Sequence, residues 1–187
     1  GKTASFVVPL LAHVLELPRL TPETQSYGPY ALVLAPTREL AQQIEGEAQR
    51  LARRLGRTIV SLVGGRDISE QGYSLRNGAD VVIATPGRLC DIIERHMLVL
   101  SQCTYLVMDE ADRMIDLGFE DALTFIMESL PRAGDVGADG QPLPPRVTML
   151  YSATMPPSVE SISAQFLRDP AVVQIGSANQ AVGTVEQ

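Results

Sequence analysis

The residues best suited to chemistry are three carboxylates, Asp109, Glu110 and Asp112, which directly follow the apolar run 105–108. An apolar run of this kind is typical of a strand that is buried on both faces of a sheet. Ligands of open α/β sheets bind outside the carboxyl ends of the strands, so these carboxylates would lie where a reaction centre is expected. The simpler alternative is a set of solvated acids, with Asp112 capping the next helix.

The first three residues, Gly1-Lys2-Thr3, match the end of the phosphate-binding pattern G-x-x-x-x-G-K-[ST]. In that pattern the backbone N–H groups at a helix N-terminus bind phosphate oxygens, the lysine reaches the outer phosphates, and the hydroxyl ligates Mg²⁺. The tripeptide alone is a weak signal because the first half of the pattern is missing. Together with the later carboxylates it predicts a site for a nucleoside triphosphate and Mg²⁺.

Three further turns follow predicted strands and could bind phosphate groups. Two of them begin helices, where a threonine can cap the helix and an arginine can pair with a phosphate. The third turn has no side chains, so a phosphate could approach its backbone closely. The turns are Pro36-Thr37-Arg38, Gly64-Gly65 and Thr85-Pro86-Gly87-Arg88. Each could equally be an ordinary helix start or an ordinary turn, and for any one of them alone that is the simpler interpretation.

Two hydroxyls, those of Ser152 and Thr154, follow another apolar run at 147–151. If that run is a strand of the same sheet, the hydroxyls lie at the edge that carries the carboxylates. They could then form hydrogen bonds with the 109–112 cluster. Alternatively, they could cap the helix that begins near Pro157.

The elements that must position these residues alternate along the chain. Apolar runs predict strands at 30–35, 58–63, 80–84, 105–109, 147–151 and 171–175. Helical periodicity predicts helices at 4–17, 37–55, 86–95, 119–130 and 157–167. Repeated βα units predict an α/β domain with a mainly parallel sheet and helices on both faces. Residues 16–29 and 131–146 are predicted to be loops, the second a mobile surface insertion, and residues 176–187 a linker.

Composition is that of an ordinary domain of 187 residues, of which 45% are hydrophobic and 20% are charged. The net charge of −7 argues mildly against nucleic acid as a partner, although helix N-termini and a few arginines can still bind phosphates, weakly and with strong salt dependence. No apolar run is long enough to span a membrane. Cys90 and Cys103 have no metal-binding spacing and are expected to be reduced thiols in an intracellular protein.

Read in order, the motifs GKT, PTREL, GG, TPGR, DEAD and SAT make the chain resemble the amino-terminal RecA-like domain of DEAD-box RNA helicases. The resemblance covers essentially the whole chain. Longer stretches such as GPYALVLAPTRELAQQIE and VLSQCTYLVMDEADRMIDLGFE are most similar to members of the family that act in pre-mRNA splicing. The implied fold is a RecA-like P-loop NTPase domain at 1–175, truncated at the phosphate loop.

The resemblance implies an ATP site with Mg²⁺ at the first motif and the carboxylates. Gly1, Lys2 and Thr3 would bind the nucleotide, with Lys2 on the β and γ phosphates and Thr3 on Mg²⁺. Asp109 would hold Mg²⁺ through water, and Glu110 would orient or deprotonate the attacking water.

The remaining motifs are implied to serve coupling and RNA binding. Asp112, Ser152 and Thr154 would couple the nucleotide state to closure of two domains. One RNA strand would be bound by its phosphates and sugars, independently of sequence, and bent locally so that short duplexes separate without translocation. The implied RNA-binding residues are Pro36, Thr37, Arg38, Gly64, Gly65, Thr85, Pro86, Gly87 and Arg88.

The chain departs from the family pattern at both ends. The adenine-reading segment, the strand before the phosphate loop and the second RecA-like domain are absent from it. We therefore expect residues 1–187 alone to be nearly inert as an ATPase, with a gap in the sheet and apolar surface exposed.

The resemblance implies that the parent protein is an RNA-dependent ATPase and helicase, that it works with spliceosomal ribonucleoproteins near the five-prime splice site, and that it acts in the nucleus. A noncatalytic docking module within a ribonucleoprotein is the alternative. The intact Lys2, Asp109, Glu110 and SAT triplet favour catalysis. A DNA helicase is disfavoured by Asp112, which completes the DEAD motif.

Overall fold

The computed structural model describes residues 2–175, which form a five-stranded sheet in which every neighbouring pair of strands is parallel. The strand order is β2-β3-β1-β4-β5. The strands are β1 (Ala31–Leu34), β2 (Ile59–Leu62), β3 (Val81–Ala84), β4 (Tyr105–Met108) and β5 (Val147–Leu150). Because all five run the same way, their carboxyl ends meet at one edge of the sheet.

Seven α-helices connect the strands or flank them within the described residues. They are α1 (Lys2–Glu16), α2 (Arg38–Leu55), α3 (Ile68–Arg76), α4 (Pro86–Glu94), α5 (Ala111–Asp116), α6 (Glu120–Ser129) and α7 (Pro157–Phe166). A short 3-10 helix, Thr24–Tyr27, lies in the loop before β1. None of the helices within residues 2–175 combines the length and apolar character that crossing a membrane would need.

The helices cover both faces of the sheet because successive strand residues point to opposite faces. On one face Val33 and Val107 pack with α1 and α2, including Phe6 and Ile44. On the other face strand residues such as Leu106 pack with α3 to α7. The four strands β1 to β4 are buried along their whole length. The predicted α/β class with a parallel sheet between two helical layers is therefore confirmed.

Helix α2 shows how local sequence sets the element boundaries. Thr37 is extended, and its hydroxyl accepts a hydrogen bond from the N–H of Leu40 at 3.3 Å, which is a typical N-cap. Gly56 adopts a left-handed conformation with φ of 66° and ends the helix. The turn before α2 is consequently held at the carboxyl edge of the sheet.

One sequence prediction about the elements was wrong, and two helices were missed. No strand forms at 171–175, where Val172 and Ile175 are 85% and 96% exposed, because an apolar run becomes a strand only when it has a partner to pair with. The helix predicted at 119–130 is confirmed as α6, but the separate helix α5 before it was missed. Helix α3 was missed, although Asp67 caps it through the N–H groups of Ser69 and Glu70.

The five strands within residues 2–175 are contiguous, so the sheet has no gap of the kind that was predicted. The exposed apolar surface lies at an edge instead. Strand β5 is the only one of the five that is not fully buried, and Val147 on it is 39% exposed. The sequence is compatible both with an open edge and with a missing internal strand. The structure shows the open edge, at β5.

The insertion at 131–146 folds back on itself. Val136 and Pro142 form an antiparallel bridge, and the N–H of Leu143 donates to the carbonyl of Asp135 at 2.7 Å. We refer to residues 131–146 as the hairpin insertion. The predicted linker at 176–187 and residue Gly1 lie outside the described residues.

Candidate functional site

The nucleotide site predicted from two distant motifs is brought together at the carboxyl edge of the sheet. Lys2 begins α1, and Asp109 directly follows β4. The Lys2 ammonium lies 2.7 Å from Oδ1 of Asp109, whose side chain is only 3% exposed. A buried carboxylate requires a compensating charge, and the lysine supplies it. Thr3 lies one residue further into α1 and is half-buried.

Glu110 has an unusual backbone conformation. Its φ and ψ are both 53°, in the left-handed region that a residue with a side chain seldom adopts. Its N–H donates to Oδ1 of Asp109 at 2.9 Å, and the next N–H, that of Ala111, donates to the carbonyl of Tyr151 at 3.0 Å. These bonds hold a sharp turn between β4 and α5. The turn presents Asp109 and Glu110 side by side at the edge of the sheet.

Asp112 is clamped to the segment that follows β5. Its Oδ2 accepts hydrogen bonds from the hydroxyl of Thr154 at 2.8 Å and from the Thr154 N–H at 3.1 Å. The N–H of Asp112 donates to Oγ of Ser152 at 3.2 Å, and that hydroxyl donates to the carbonyl of Thr154 at 2.7 Å. The hydroxyls that follow β5 thus contact the carboxylate cluster rather than capping α7, whose N-cap residue is Pro156.

The clamp also sets the protonation of Asp112. Burial alone would raise the pKa of this carboxyl, but the hydrogen bonds from Thr154 and from the N–H of Arg113 outweigh it and hold the pKa below its ordinary value. Asp112 is therefore ionised at neutral pH and remains an acceptor for Thr154.

An open cavity of about 500 Å³ lies against these residues. Lys2, Glu110 and Asp112 line it, together with Arg113 and Asp116 from α5. The sequence analysis did not select Arg113 and Asp116, although the i,i+4 spacing of Asp116 from Asp112 on α5 could have suggested the latter. The cavity has room for the phosphate groups of a nucleotide beside the lysine.

The donor set suits Mg²⁺ held jointly with a phosphate ligand. Within residues 2–175 no group of three or more His, Cys, Asp or Glu side chains could hold a metal ion unaided. Mg²⁺ is commonly bound through one or two carboxylates, waters and substrate phosphates. Asp109 and the Thr3 hydroxyl are oxygen donors of this kind near the lysine that would face the phosphates.

The three predicted phosphate-binding turns come together at the other half of the same edge. They follow β1, β2 and β3, which are adjacent in the sheet. A Cβ added at Gly65 would lie 2.6 Å from Nη1 of Arg38, so these two turns touch. Nη1 of Arg88 donates to the carbonyl of Arg66 at 2.9 Å, which joins the third turn to the second.

The positions within these turns differ in how strongly backbone conformation and neighbouring atoms restrict the residue type. Gly65 has φ of 75°, whereas a Cβ at Gly64 would meet nothing within 4 Å. Thr85 occupies the N-cap position of α4 and Pro86 its first residue, but the Thr85 side chain makes no capping hydrogen bond. A Cβ at Gly87 would make only an ordinary contact at 3.9 Å with Phe119. Pro36 is buried.

The sequence analysis missed Gln71 of α3, which holds the turn at Gly64 and Gly65 in place and is 5% exposed. Its Oε1 accepts from the N–H of Val63 at 2.9 Å, and its Nε2 donates to the carbonyls of Val63, Arg66 and Asp67 at 3.2 to 3.3 Å. One buried amide therefore satisfies the backbone on both sides of Gly64 and Gly65. The spacing from Asp67 to Glu70, which resembles a capping box, could have revealed α3.

A family model described as DEAD/DEAH box helicase matches residues 1–162. The chain is 54% identical over its whole length to the pre-mRNA-splicing ATP-dependent RNA helicase prp28 of Sclerotinia sclerotiorum and 55% identical to that of Emericella nidulans. It spans 24% and 26% of the length of these two curated relatives.

Solved structures agree with this similarity. The yeast DEAD-box splicing factor Prp28 superposes with a TM-score of 0.83 at 39% identity, covering 95% of this chain and 40% of that one. The RNA helicase Prp28 from Chaetomium thermophilum, bound to ADP, superposes with a TM-score of 0.78 at 53% identity, covering 95% and 39%. The predicted RecA-like fold is thereby confirmed. By its motifs, its fold and the matched family model, the chain belongs to the DEAD/DEAH box helicase family.

Proposed function

We propose that this chain is the nucleotide-binding lobe of an ATP-dependent RNA helicase that acts in pre-mRNA splicing. The observation that carries the proposal is the contact between Lys2 and Asp109, beside Glu110 and the Asp112 clamp. Lys2, Glu110 and Asp112 line one open cavity, and the Lys2 ammonium contacts Asp109 beside it, which supports a site for phosphate and metal. The splicing role rests on the similarity to the prp28 helicases.

In this proposal Lys2 binds the outer phosphates of ATP, Thr3 and Asp109 hold Mg²⁺, and Gly1 contributes backbone to the phosphate loop. The metal, when bound, neutralises the charge that develops on the phosphate oxygens. The turn at Glu110 supports its role, because it directs the carboxylate to the edge of the sheet, where it can orient or deprotonate the attacking water.

Asp112, Ser152 and Thr154 are proposed to couple the nucleotide state to closure on a second RecA-like domain. Their hydrogen bonds join the segments that follow β4 and β5, so a shift of one segment must either move the other or break the clamp. A hydrogen-bonded link of this kind can have two discrete arrangements, which a coupling element needs.

RNA is proposed to bind along the turns that follow β1, β2 and β3. Arg38 and Arg88 supply charge, while the backbone around Gly64 and Gly65 allows close approach. These groups suit phosphates and sugars rather than base edges, so binding would be independent of sequence and would depend strongly on salt. The proposed RNA is a short duplex from which one strand is bent and released locally.

Partners and location follow from the splicing proposal. We expect spliceosomal ribonucleoproteins as partners and the nucleus as the site of action. Because a second lobe would complete both the nucleotide site and the RNA surface, residues 1–187 alone are expected to hydrolyse ATP very slowly.

The proposal is tested by ATP hydrolysis in the full-length protein, measured with a short RNA duplex, with a DNA duplex of the same sequence, and without nucleic acid. We expect stimulation by RNA alone. Glu110→Gln should slow hydrolysis by roughly a hundredfold or more while leaving ATP binding almost unchanged, because it removes the base and keeps the size. Glu94→Gln, an exposed change at the end of α4, is the matched control.

Two outcomes would contradict the proposal. Equal loss of ATP affinity and hydrolysis in Glu110→Gln would show that this carboxylate serves nucleotide binding rather than activation of water. Absence of hydrolysis in the unaltered protein under every condition would favour a noncatalytic docking module within a ribonucleoprotein.

A further inference from the structure

A second cavity, of about 460 Å³, lies at the edge of the sheet opposite the carboxylates. The ends of α6 and α7, the hairpin insertion and the start of β5 surround it. Each strand of four residues spans roughly 13 Å, so this cavity is separated from the nucleotide site by the length of the sheet. A ligand of the nucleotide site therefore does not account for this cavity.

The cavity concentrates positive charge in a chain whose net charge is −7. Arg132, Arg146 and Arg168 line it, whereas Glu128 is its only acidic lining residue. No carboxylate of residues 2–175 lies within ion-pair distance of any of these three arginines. An anionic ligand would find an excess of cationic donors here.

Arg146 is the most constrained of the three arginines. It is half-buried, and its guanidinium donates to the carbonyl of Pro131 at 3.3 Å and to Oγ1 of Thr148 at 3.2 Å. Burial holds its pKa below the ordinary value for arginine. A guanidinium has five N–H donors, so donors remain for an incoming group in addition to these two bonds.

The ends of helices offer a simpler explanation for two of the arginines. Arg132 and Arg168 follow the C-termini of α6 and α7, where a cation interacts favourably with the helix dipole. The helix dipole does not explain Arg146, which directly precedes β5 and lines the same cavity. The helix dipole also does not explain why the ends of two helices and a partly buried arginine meet at one cavity.

The cavity also has an apolar part. Leu130 and Phe166, which line it, are 5% and 7% exposed, and Met127 packs beside them. We propose that this cavity binds an acidic peptide segment of a partner protein, with carboxylates on the arginines and one apolar side chain against the half-buried Met127. RNA is less suited, because stacking of bases needs an accessible aromatic face and Phe166, the one aromatic lining residue, is buried.

The test uses the full-length protein and a blocked, fluorescein-labelled peptide of sequence Asp-Asp-Leu-Glu-Asp, followed by fluorescence anisotropy at low salt. Arg132→Glu combined with Arg168→Glu should weaken peptide binding by roughly tenfold or more, because two charge-assisted contacts become repulsive. Arg53→Glu combined with Arg54→Glu is the matched control, since both arginines are exposed in the last turn of α2 and the charge change is the same. It should bind the peptide as the unaltered protein does.

Two further arms define the ligand class. A peptide with glycine in place of leucine should bind more weakly, and a labelled oligouridine should bind the cavity variant as well as the control variant. No binding of the acidic peptide, equal weakening in both double variants, or loss of oligouridine binding in the cavity variant alone would each overturn the proposal. The last result would assign the cavity to RNA.

Discussion

The carboxyl edge of the sheet has two halves that are held together by different kinds of interaction. The nucleotide half contains Lys2 and residues 109–112 and 152–154, and the RNA half contains the turns at 36–38, 64–65 and 85–88. At the nucleotide half, side chains from distant segments contact each other directly, as Lys2 does Asp109 and Thr154 does Asp112. At the RNA half, the turns are held mainly by bonds to backbone, through the amide of Gln71 and the guanidinium of Arg88. Lys2 and Thr154 are exposed and can exchange partners, provided that the buried Asp109 keeps a compensating charge, whereas buried backbone groups cannot be left unpaired.

We infer that the proposed nucleotide half can change its contacts, while the proposed RNA half keeps its shape. In the proposed function, ATP phosphates would compete for the Lys2 ammonium, which is 45% exposed, and domain closure would pull on the exposed Thr154. The turn at Gly64 and Gly65 has no comparable freedom. Substitutions in the RNA half should therefore reduce stability together with RNA binding, while those in the nucleotide half should alter activity with little loss of stability.

The largest expected loss of stability is that of Gln71→Ala. This change leaves the N–H and carbonyl of the buried Val63 without their partner and removes one of two donors from the carbonyls of Arg66 and Asp67, which should lower the free energy of unfolding by about 2 kcal/mol. Chemical denaturation measures the loss, and RNA affinity should fall with it. Gln43→Ala, an exposed change on α2, is the control.

If Gln71→Ala left stability unchanged, water would be replacing the amide, and the RNA half would be no more rigid than the nucleotide half. A loss of stability with unchanged RNA affinity would instead separate Gln71 from the proposed RNA surface.

The next effect in size compares two neighbouring glycines. Gly65→Ala places a side chain at φ of 75° and against Arg38, so it should cost about 1 to 2 kcal/mol of stability and displace that arginine. Gly64→Ala has open space and should cost much less. Chemical denaturation and the salt dependence of RNA binding measure both consequences, since loss of one phosphate contact lowers the salt slope by about one. Equal effects of the two changes would count against a strained turn at Gly65.

Much of the arrangement of this edge could be predicted from the sequence, because every motif after Gly1-Lys2-Thr3 is short and follows an apolar run. Parallel strands bring their carboxyl ends to one edge, so Lys2, Asp109 and Thr154 could be expected to meet before any coordinates were known. The fold class followed from the same alternation. Apart from the strand at 171–175, the strands and helices that local patterns predicted are present in the structure.

The features that escaped prediction depend on tertiary context. Helix α3 buries Gln71, Gly72 and Leu75, a face with too little apolar character to produce a clear period. The left-handed conformation of Glu110 is held by the neighbouring Asp109 and by Tyr151, which follows β5, and no local pattern encodes the second contact. The apolar run at 171–175 has the composition of a strand but lacks a paired neighbour within residues 2–175.

The smallest expected effect on stability is that of Thr154→Val, which removes one exposed hydrogen bond and should cost about 0.5 kcal/mol. Because that bond helps to hold the pKa of Asp112 below its ordinary value, the variant's pKa should rise towards that value in an NMR titration of the carboxyl. The stabilisation from a lowered aspartate pKa is complete above the unfolded pKa and is lost as pH falls through the folded pKa, so the variant and the unaltered protein should converge in stability only in acid. At neutral pH the variant should bind ATP normally but respond less to RNA, whereas Thr124→Val, whose hydroxyl donates within α6, should leave that response intact. A normal RNA response in Thr154→Val would mean that the clamp is structural, and the contrast between a changeable and a rigid half would then have to rest on Lys2 and Asp109 alone.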